Sequence, residues 1–326
     1  MGWCTDRIRV VGALPPGYLY YLLFLRKSFL LAAVAYFIAL PFIYLLSWLP
    51  FPVLYLISDF VYFILFVCIG YRKQVIMQNL RNSFPEKSEA EIKVICNKFC
   101  HYLCDLIVEV LKVLTISRKS MIRHCAFDEK GLAIFKKYAD EGKSVIMVMG
   151  HLGNWEWAGH PFSLLCKQKL VVIYHPLTNK YFDGLMMRMR SRFGTRMIPM
   201  KTTFRDMVAN RKELTATVFI SDQTPMPEHA YWTTFLNQDT PIFKGTETIA
   251  KKMNLPIVYC TIKREKRGYY KMYAEVLTDN PAATAENEIS EMHTRMLERD
   301  IKSQPEIWLW SHRRWKYKKP VSDVKQ

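Results

Sequence analysis

The sequence predicts an α/β domain, a mixed central sheet flanked by helices, carried behind an N-terminal hydrophobic membrane anchor. Three observations predict it. Short apolar, partly β-branched runs closed by turn residues recur between helix-period segments, at Ser144–Met149, Leu170–Tyr174, Ala216–Ile220 and Pro256–Lys263. No charged residue occurs from Ser28 to Ser58, whereas from Tyr71 onward the composition is that of a soluble domain. Gly150 ends the first of those strands and Gly153-Asn154 is where a helix begins, so His151 falls in the turn at a strand's C-terminal end, where open α/β sheets bind ligands. The boundaries follow as residues 1–70 for the anchor and 71–326 for the α/β domain.

Within the anchor, the first span covers about residues 28–50. Phe29 to Leu49 alone would reach roughly 30 Å as a helix, a bilayer core's thickness, with a kink at Pro41. A second apolar segment, 53–70, carries only Asp59; it can return through the bilayer, lie at the interface or pack on the domain. Arg26-Lys27 precede the region and Arg72-Lys73 and Arg81 follow it, so the positive-inside rule puts both flanks in the cytoplasm. The start is neither a cleavable signal peptide nor a myristoylation site, since Asp6 stands where Ser or Thr is wanted.

Beyond the anchor, a helix ends at Pro85 and another starts at Ser88 with Glu91 at its capping-box position. Glu89 to Ile116 then runs as one amphipathic helix whose Tyr102, Asp105 and Glu109 read as a solvated face. Cys96, Cys100 and Cys104 share helical spacing and, with His101, offer a metal face or a stripe of small core residues; the stripe is the reading taken. Gly131–Glu141 is a helix feeding the Ser144–Met149 strand. Helices follow at Thr246–Met253 and Glu286–Ser303, and Tyr269–Val276 pairs with Pro256–Lys263 as a hairpin. Forty-six basic against 29 acidic residues give a formal charge of +17, which favours anionic partners. No nucleic-acid-binding motif accompanies that charge. The eight cysteines include no CxxC pair, as in a reduced, cytoplasm-facing protein.

The chemistry concentrates at Met149–Gly159. His151 lies in the turn and Glu156 in the first turn of the next helix, so the carboxylate can reach back to one imidazole nitrogen. That would fix the tautomer and free the other nitrogen to take a proton from an alcohol. A capping histidine beside a surface glutamate is the plain alternative.

His151-Leu-Gly-Asn-Trp-Glu156 resembles the H-x4-D/E block of the lysophospholipid acyltransferase superfamily, in particular the bacterial lipid A late acyltransferases. Further blocks keep that family's order: Gly70 to Glu86, Arg190 ahead of Arg192-Phe193-Gly194, Asp222-Gln223, Phe235 through Pro241 to Gly245, and Trp310-Ser-His312-Arg313-Arg314-Trp315-Lys316. Leu236 and Asn237 depart from it, standing where Phe and Gly are common.

The resemblance implies a glycerolipid acyltransferase-like fold. It implies transfer of a fatty acyl chain from a thioester, acyl carrier protein or acyl-CoA, to a hydroxyl of a lipid A precursor at the cytoplasmic face of the bacterial inner membrane. His151 would be the general base and Glu156 would orient it. Arg190 would hold a phosphate or the carrier's phosphopantetheine arm, and Asp222 would support the site. Backbone N–H groups of Gly153 and Asn154 are candidate oxyanion donors. Arg188, Arg192, Gln223, Gly245, Arg313 and Arg314 complete the expected substrate-binding set. No metal or bound cofactor is required. A lysophospholipid or amino-acid lipid acceptor, or a non-catalytic lipid-binding role, are the alternatives.

Overall fold

The computed structural model describes residues 18–320, with side chains from residue 32 on. Asp6 and the side chains of Arg26 and Lys27 therefore lie outside the described residues.

Seven strands form the main sheet: β1 (Cys125–Phe127), β2 (Val145–Met149), β3 (Lys169–Tyr174), β4 (Arg196–Pro199), β5 (Thr215–Ile220), β8 (Ile257–Lys266) and β9 (Tyr269–Thr278). Their order is β1-β9-β8-β2-β5-β3-β4, with parallel neighbours throughout except the β8–β9 hairpin. The hairpin is antiparallel because two residues, Arg267-Gly268, join its strands and Gly268 takes φ +76°. All five β2 residues are buried, which a strand covered on both faces requires. β2 and β5 run side by side in register from Val145–Ala216 to Met149–Ile220. The segments leaving them, Gly150-His151 and Ser221-Asp222, therefore emerge together at one sheet edge.

A separate two-stranded ribbon, β6 (Tyr231–Phe235) with β7 (Gln238–Ile242), turns at Leu236-Asn237, both in the left-handed region (φ +49° and +63°). These are the two positions at which the sequence departs from the resembled family. A hairpin this tight needs φ above zero at both, which Asn tolerates and Leu adopts under strain.

The helices are α1 (Tyr18–Trp48), α2 (Phe51–Tyr62, continued by a π-helical stretch Phe63–Cys68), α3 (Lys73–Ser83), α4 (Glu89–Lys112) and α5 (Arg118–His124). α6 (Glu129–Asp140), α7 (Trp155–Leu165), α8 (Lys180–Ser191), α9 (Thr203–Ala209), α10 (Gly245–Met253) and α11 (Glu288–Ser303) follow. α4 begins on the expected capping box: the Ser88 hydroxyl accepts from the Glu91 amide, and the Glu91 carboxylate accepts from the Ser88 amide. Cys96, Cys100 and Cys104 line α4's core side.

Among the described residues, the helical stretch long and apolar enough to cross a membrane is Phe51–Cys68; the described apolar part of α1, Ala32–Trp48, is shorter. α2 packs along α4, where Ser58 donates to Asp105 (2.7 Å), and reaches the turn of the β8–β9 hairpin through Asp59 and Arg267 (2.6 Å). Its other side is bare: Leu56, Phe60, Phe63 and Val67 are exposed, and so are Phe37, Ile38, Phe42 and Leu45 on α1.

The expected solvated face of α4 is overturned. Tyr102, Asp105 and Glu109 are buried, because α2, the β8–β9 hairpin and the start of α7 close over them. Burial is tolerated because every one of these polar groups has a partner.

Candidate active site

His151 emerges from β2 and meets a carboxylate from β5. The imidazole Nδ1 lies 2.6 Å from Asp222 Oδ1, and the His151 amide donates to Asp222 Oδ2 at 2.7 Å. Trp308 Nε1 donates to the same Oδ2 at 2.8 Å. Burial alone would raise the Asp222 carboxyl, but the His151 imidazole and these hydrogen bonds outweigh it and hold the group well below the ordinary carboxylate range. An ionised Asp222 accepts only, so Nδ1 carries a proton, and in the neutral tautomer this selects, Nε2 is the lone-pair nitrogen. Nε2 sits 3.3 Å from the Gln223 side-chain amide.

Glu156 makes a different pair. Arg190 grips it in a fork, Nε to Oε2 at 2.8 Å and Nη2 to Oε1 at 2.6 Å. The expectation that Glu156 orients His151 is corrected accordingly: in this structure Asp222 takes that imidazole nitrogen and Glu156 holds Arg190. Adjacent parallel strands in register bring residues 71 positions apart within hydrogen-bond reach. α7, by contrast, carries Glu156 away toward α8.

His151 and the Glu156–Arg190 pair line one cavity of about 280 Å³, with Asp222 behind the imidazole. His151, Trp155, Glu156, Arg190 and Gln223 line it, together with the apolar Met147, Met149, Leu170, Val172, Met197 and Val218. Gly159 of α7 leaves the room: a Cβ there would come within 3.0 Å of the Leu170 side chain.

Several expected substrate-binding residues stand elsewhere. The Gly153 amide donates to Ile307 O at 3.0 Å, so it is not free to stabilise an oxyanion. Gly153 itself is required, with φ +57° and a Cβ that would fall 2.6 Å from Ile262 O. Asn154 is fully buried: Oδ1 caps α7 through the Trp157 amide (3.0 Å), and Nδ2 donates to Glu109 (2.8 Å). The side chains of Arg188 and Arg192 point to the anchor side, donating to the Tyr44 hydroxyl (3.1 Å) and to Val113 O.

Gly245 starts α10 and does not line the cavity; its neighbour Thr246 pairs with Ser221 (3.0 Å). Arg313 is exposed and away from the cavity lining. Arg314 is buried to 1% exposure, donates to Pro241 O (2.7 Å), and is pushed down to about 10 by burial, so it is a structural side chain. The closing Trp/Arg block thus braces the site from behind.

Sequence reasoning missed Trp308 as a partner of Asp222, and Tyr102 and Glu109 as supports of the turn, Tyr102 donating to Gly153 O at 2.5 Å. The only signal for the latter two was a polar triplet along one side of α4, a pattern that equally describes a wet face.

The chain matches the family model described as bacterial lipid A biosynthesis acyltransferase over residues 24–317. It is similar to the lipid A biosynthesis palmitoleoyltransferase of Escherichia coli (strain K12), 25% identical over 279 residues, 84% of this chain and 88% of that protein. A lipid A biosynthesis acyltransferase of Shigella flexneri matches with the same identity and the same coverage. A match over so much of the chain places the protein in the bacterial lipid A biosynthesis acyltransferase family, and it is an acyltransferase.

Proposed function

We propose that the protein transfers a fatty acyl chain from an acyl thioester of carrier protein to a hydroxyl of a lipid A precursor, at the cytoplasmic face of the bacterial inner membrane. The observation that carries this reading is the His151 imidazole, locked at Nδ1 by Asp222 while it lines an apolar cavity of acyl-chain character.

In the proposed sequence the acyl chain lies in the methionine-lined cavity with its thioester carbon near His151. The acceptor hydroxyl gives its proton to His151 Nε2 as its oxygen attacks the thioester carbon. Asp222 stabilises the imidazolium that forms. The Gln223 amide, 3.3 Å from Nε2, is the donor placed to meet the developing oxyanion. Collapse of the tetrahedral species breaks the carbon–sulfur bond, and the imidazolium returns its proton to the departing thiolate. Glu156 holds Arg190 at the cavity wall, where the guanidinium takes a phosphate of the donor arm or of the acceptor. The exposed apolar sides of α1 and α2 rest in the membrane, bringing the cavity to its lipid acceptor. The +17 charge favours both an acidic carrier and an anionic surface.

Washed membranes carrying wild type or His151→Ala test the reading. Labelled acyl-carrier protein should label a lipid A precursor with the wild type and fall by about a thousandfold or more with His151→Ala. Equal labelling by the two proteins sinks the assignment of the base. Label in a different lipid keeps the chemistry and moves the acceptor.

A further inference from the structure

The buried carboxylate of Glu109 belongs to no step above, yet it is the junction of three elements. Its Oε1 accepts from the Tyr55 hydroxyl of α2 at 2.9 Å. Its Oε2 accepts from Asn154 Nδ2 and from the Tyr270 hydroxyl of β9, both at 2.8 Å. Its backbone carbonyl accepts from Trp157 Nε1 at 2.9 Å. One turn earlier on α4, Asp105 is held by Ser58 of α2 and by Arg264 and Arg267 of the β8–β9 hairpin. Tyr102, further up the same side, donates to the carbonyl of Gly153.

Three donors converge on a fully buried carboxyl that burial pushes up and the Tyr270 and Tyr55 hydrogen bonds hold down, and one of the three, Asn154, is the N-cap of α7 and ends the His151 turn. The turn is thus gripped from two sides: Asp222, itself held by Trp308, holds His151, and Glu109 and Tyr102 hold Asn154 and Gly153. The second grip continues without a break to α2, whose opposite side exposes Leu56, Phe60 and Phe63.

We propose that Glu109 is a positioning residue for the His151 turn, and that the chain Tyr55–Glu109–Asn154 couples the seating of α2 on a lipid surface to the geometry of the catalytic histidine. The coupling half rests on the membrane reading given above; the positioning half does not. Hydrogen bonds in a buried, low-dielectric site are directional, so loosening one end of this chain shifts the turn by fractions of an ångström. A misplacement of about 1 Å can cost on the order of a hundredfold in rate.

The test compares Glu109→Gln, Tyr55→Phe and Tyr270→Phe, using labelled acyl-carrier protein and lipid A precursor presented in anionic phospholipid vesicles or in detergent. Glu109→Gln should lower kcat about ten- to a hundredfold. It should leave the donor KM within about twofold and speed amide exchange at 150–154 while β2 and β5 stay protected. Tyr55→Phe should float with vesicles as the wild type does but lose most of the vesicle stimulation of turnover. Tyr270→Phe, which removes the same kind of donor without touching α2, should lower both rates by a similar factor, about two- to tenfold, and keep their ratio.

A folded Glu109→Gln with wild-type kcat overturns the positioning role. Equal vesicle-to-detergent ratios for the two tyrosine variants, or a vesicle-bound wild type that lipid does not stimulate, overturn the coupling. A wild type that fails to float refutes the membrane reading instead, and leaves the kcat and exchange readouts of Glu109→Gln in force. Should Glu109→Gln not fold, Tyr102→Phe frees only the Gly153 carbonyl and reports the same exchange and kcat change.

Discussion

Two carboxylates serve the site, one buried behind His151 and one on the cavity wall, and they are built differently. Asp222 is almost wholly buried, with both oxygens committed to His151 and Trp308. Glu156 is partly exposed on the first turn of α7 and spends its oxygens on one arginine that faces the cavity. The first arrangement fixes a tautomer, because a buried anion that only accepts dictates where the imidazole proton sits. The second fixes a cation beside space that a ligand can enter. Similar chemistry, placed on a strand end in one case and a helix in the other, serves proton handling and charge recognition respectively.

The comparison breaks most sharply at Asp222. Asp222→Asn should lower kcat by about a hundred- to ten-thousandfold with a near-native fold, because an amide tolerates the wrong imidazole tautomer. Steady-state kinetics and circular dichroism together check it. If Asp222→Asn is mild and Glu156→Gln is severe in kcat, the two roles are exchanged.

Next in size is the apolar side of α2. Leu56→Glu combined with Phe60→Glu should reduce vesicle flotation about a hundredfold, since each buried side chain of this kind contributes about 1.5–3 kcal/mol. Thermal unfolding in detergent should be unchanged, because neither side chain packs inward.

Glu156→Gln follows. It weakens the fork on Arg190 and should raise the donor KM roughly tenfold with a smaller effect on kcat, the pattern of lost uniform binding. A kcat collapse at unchanged KM would return Glu156 to the imidazole.

The smallest effect concerns pH. Burial pushes His160, His293 and His312 down to about 4. Their unfolded value is about 6.5, so between those limits the unfolded chain binds more protons and stability rises with pH. Stability is therefore lost as pH falls from about 6.5 toward 4, by at most about 3 kcal/mol for each fully buried histidine. His293→Gln should flatten that slope in denaturant titrations at successive pH values. An unchanged slope removes His293 from the account.

Much of the architecture was legible along the chain. The strands at 145–149, 169–174 and 215–220, the β8–β9 hairpin and the capped start of α4 all follow from short-range periodicity and turn residues, the information a local pattern carries. β1, β4 and the β6–β7 ribbon were not anticipated. β1 and β4 have three and four residues, too few for alternation to show, and the ribbon turns on Leu236, which does not announce a left-handed turn.

At the site, the sequence by itself determined that His151 sits in a strand-end turn, and which kinds of residue gather near it. It could not determine pairing. Strand order and register place Asp222 against His151, the α7–α8 contact hands Glu156 to Arg190, and the packing of α2 and the hairpin over α4 turns Tyr102, Asp105 and Glu109 from a wet face into a buried support. The physical reason is the range of the forces. Backbone propensity acts over a few residues, whereas hydrogen bonds between side chains are chosen by which surfaces the closing fold removes from water.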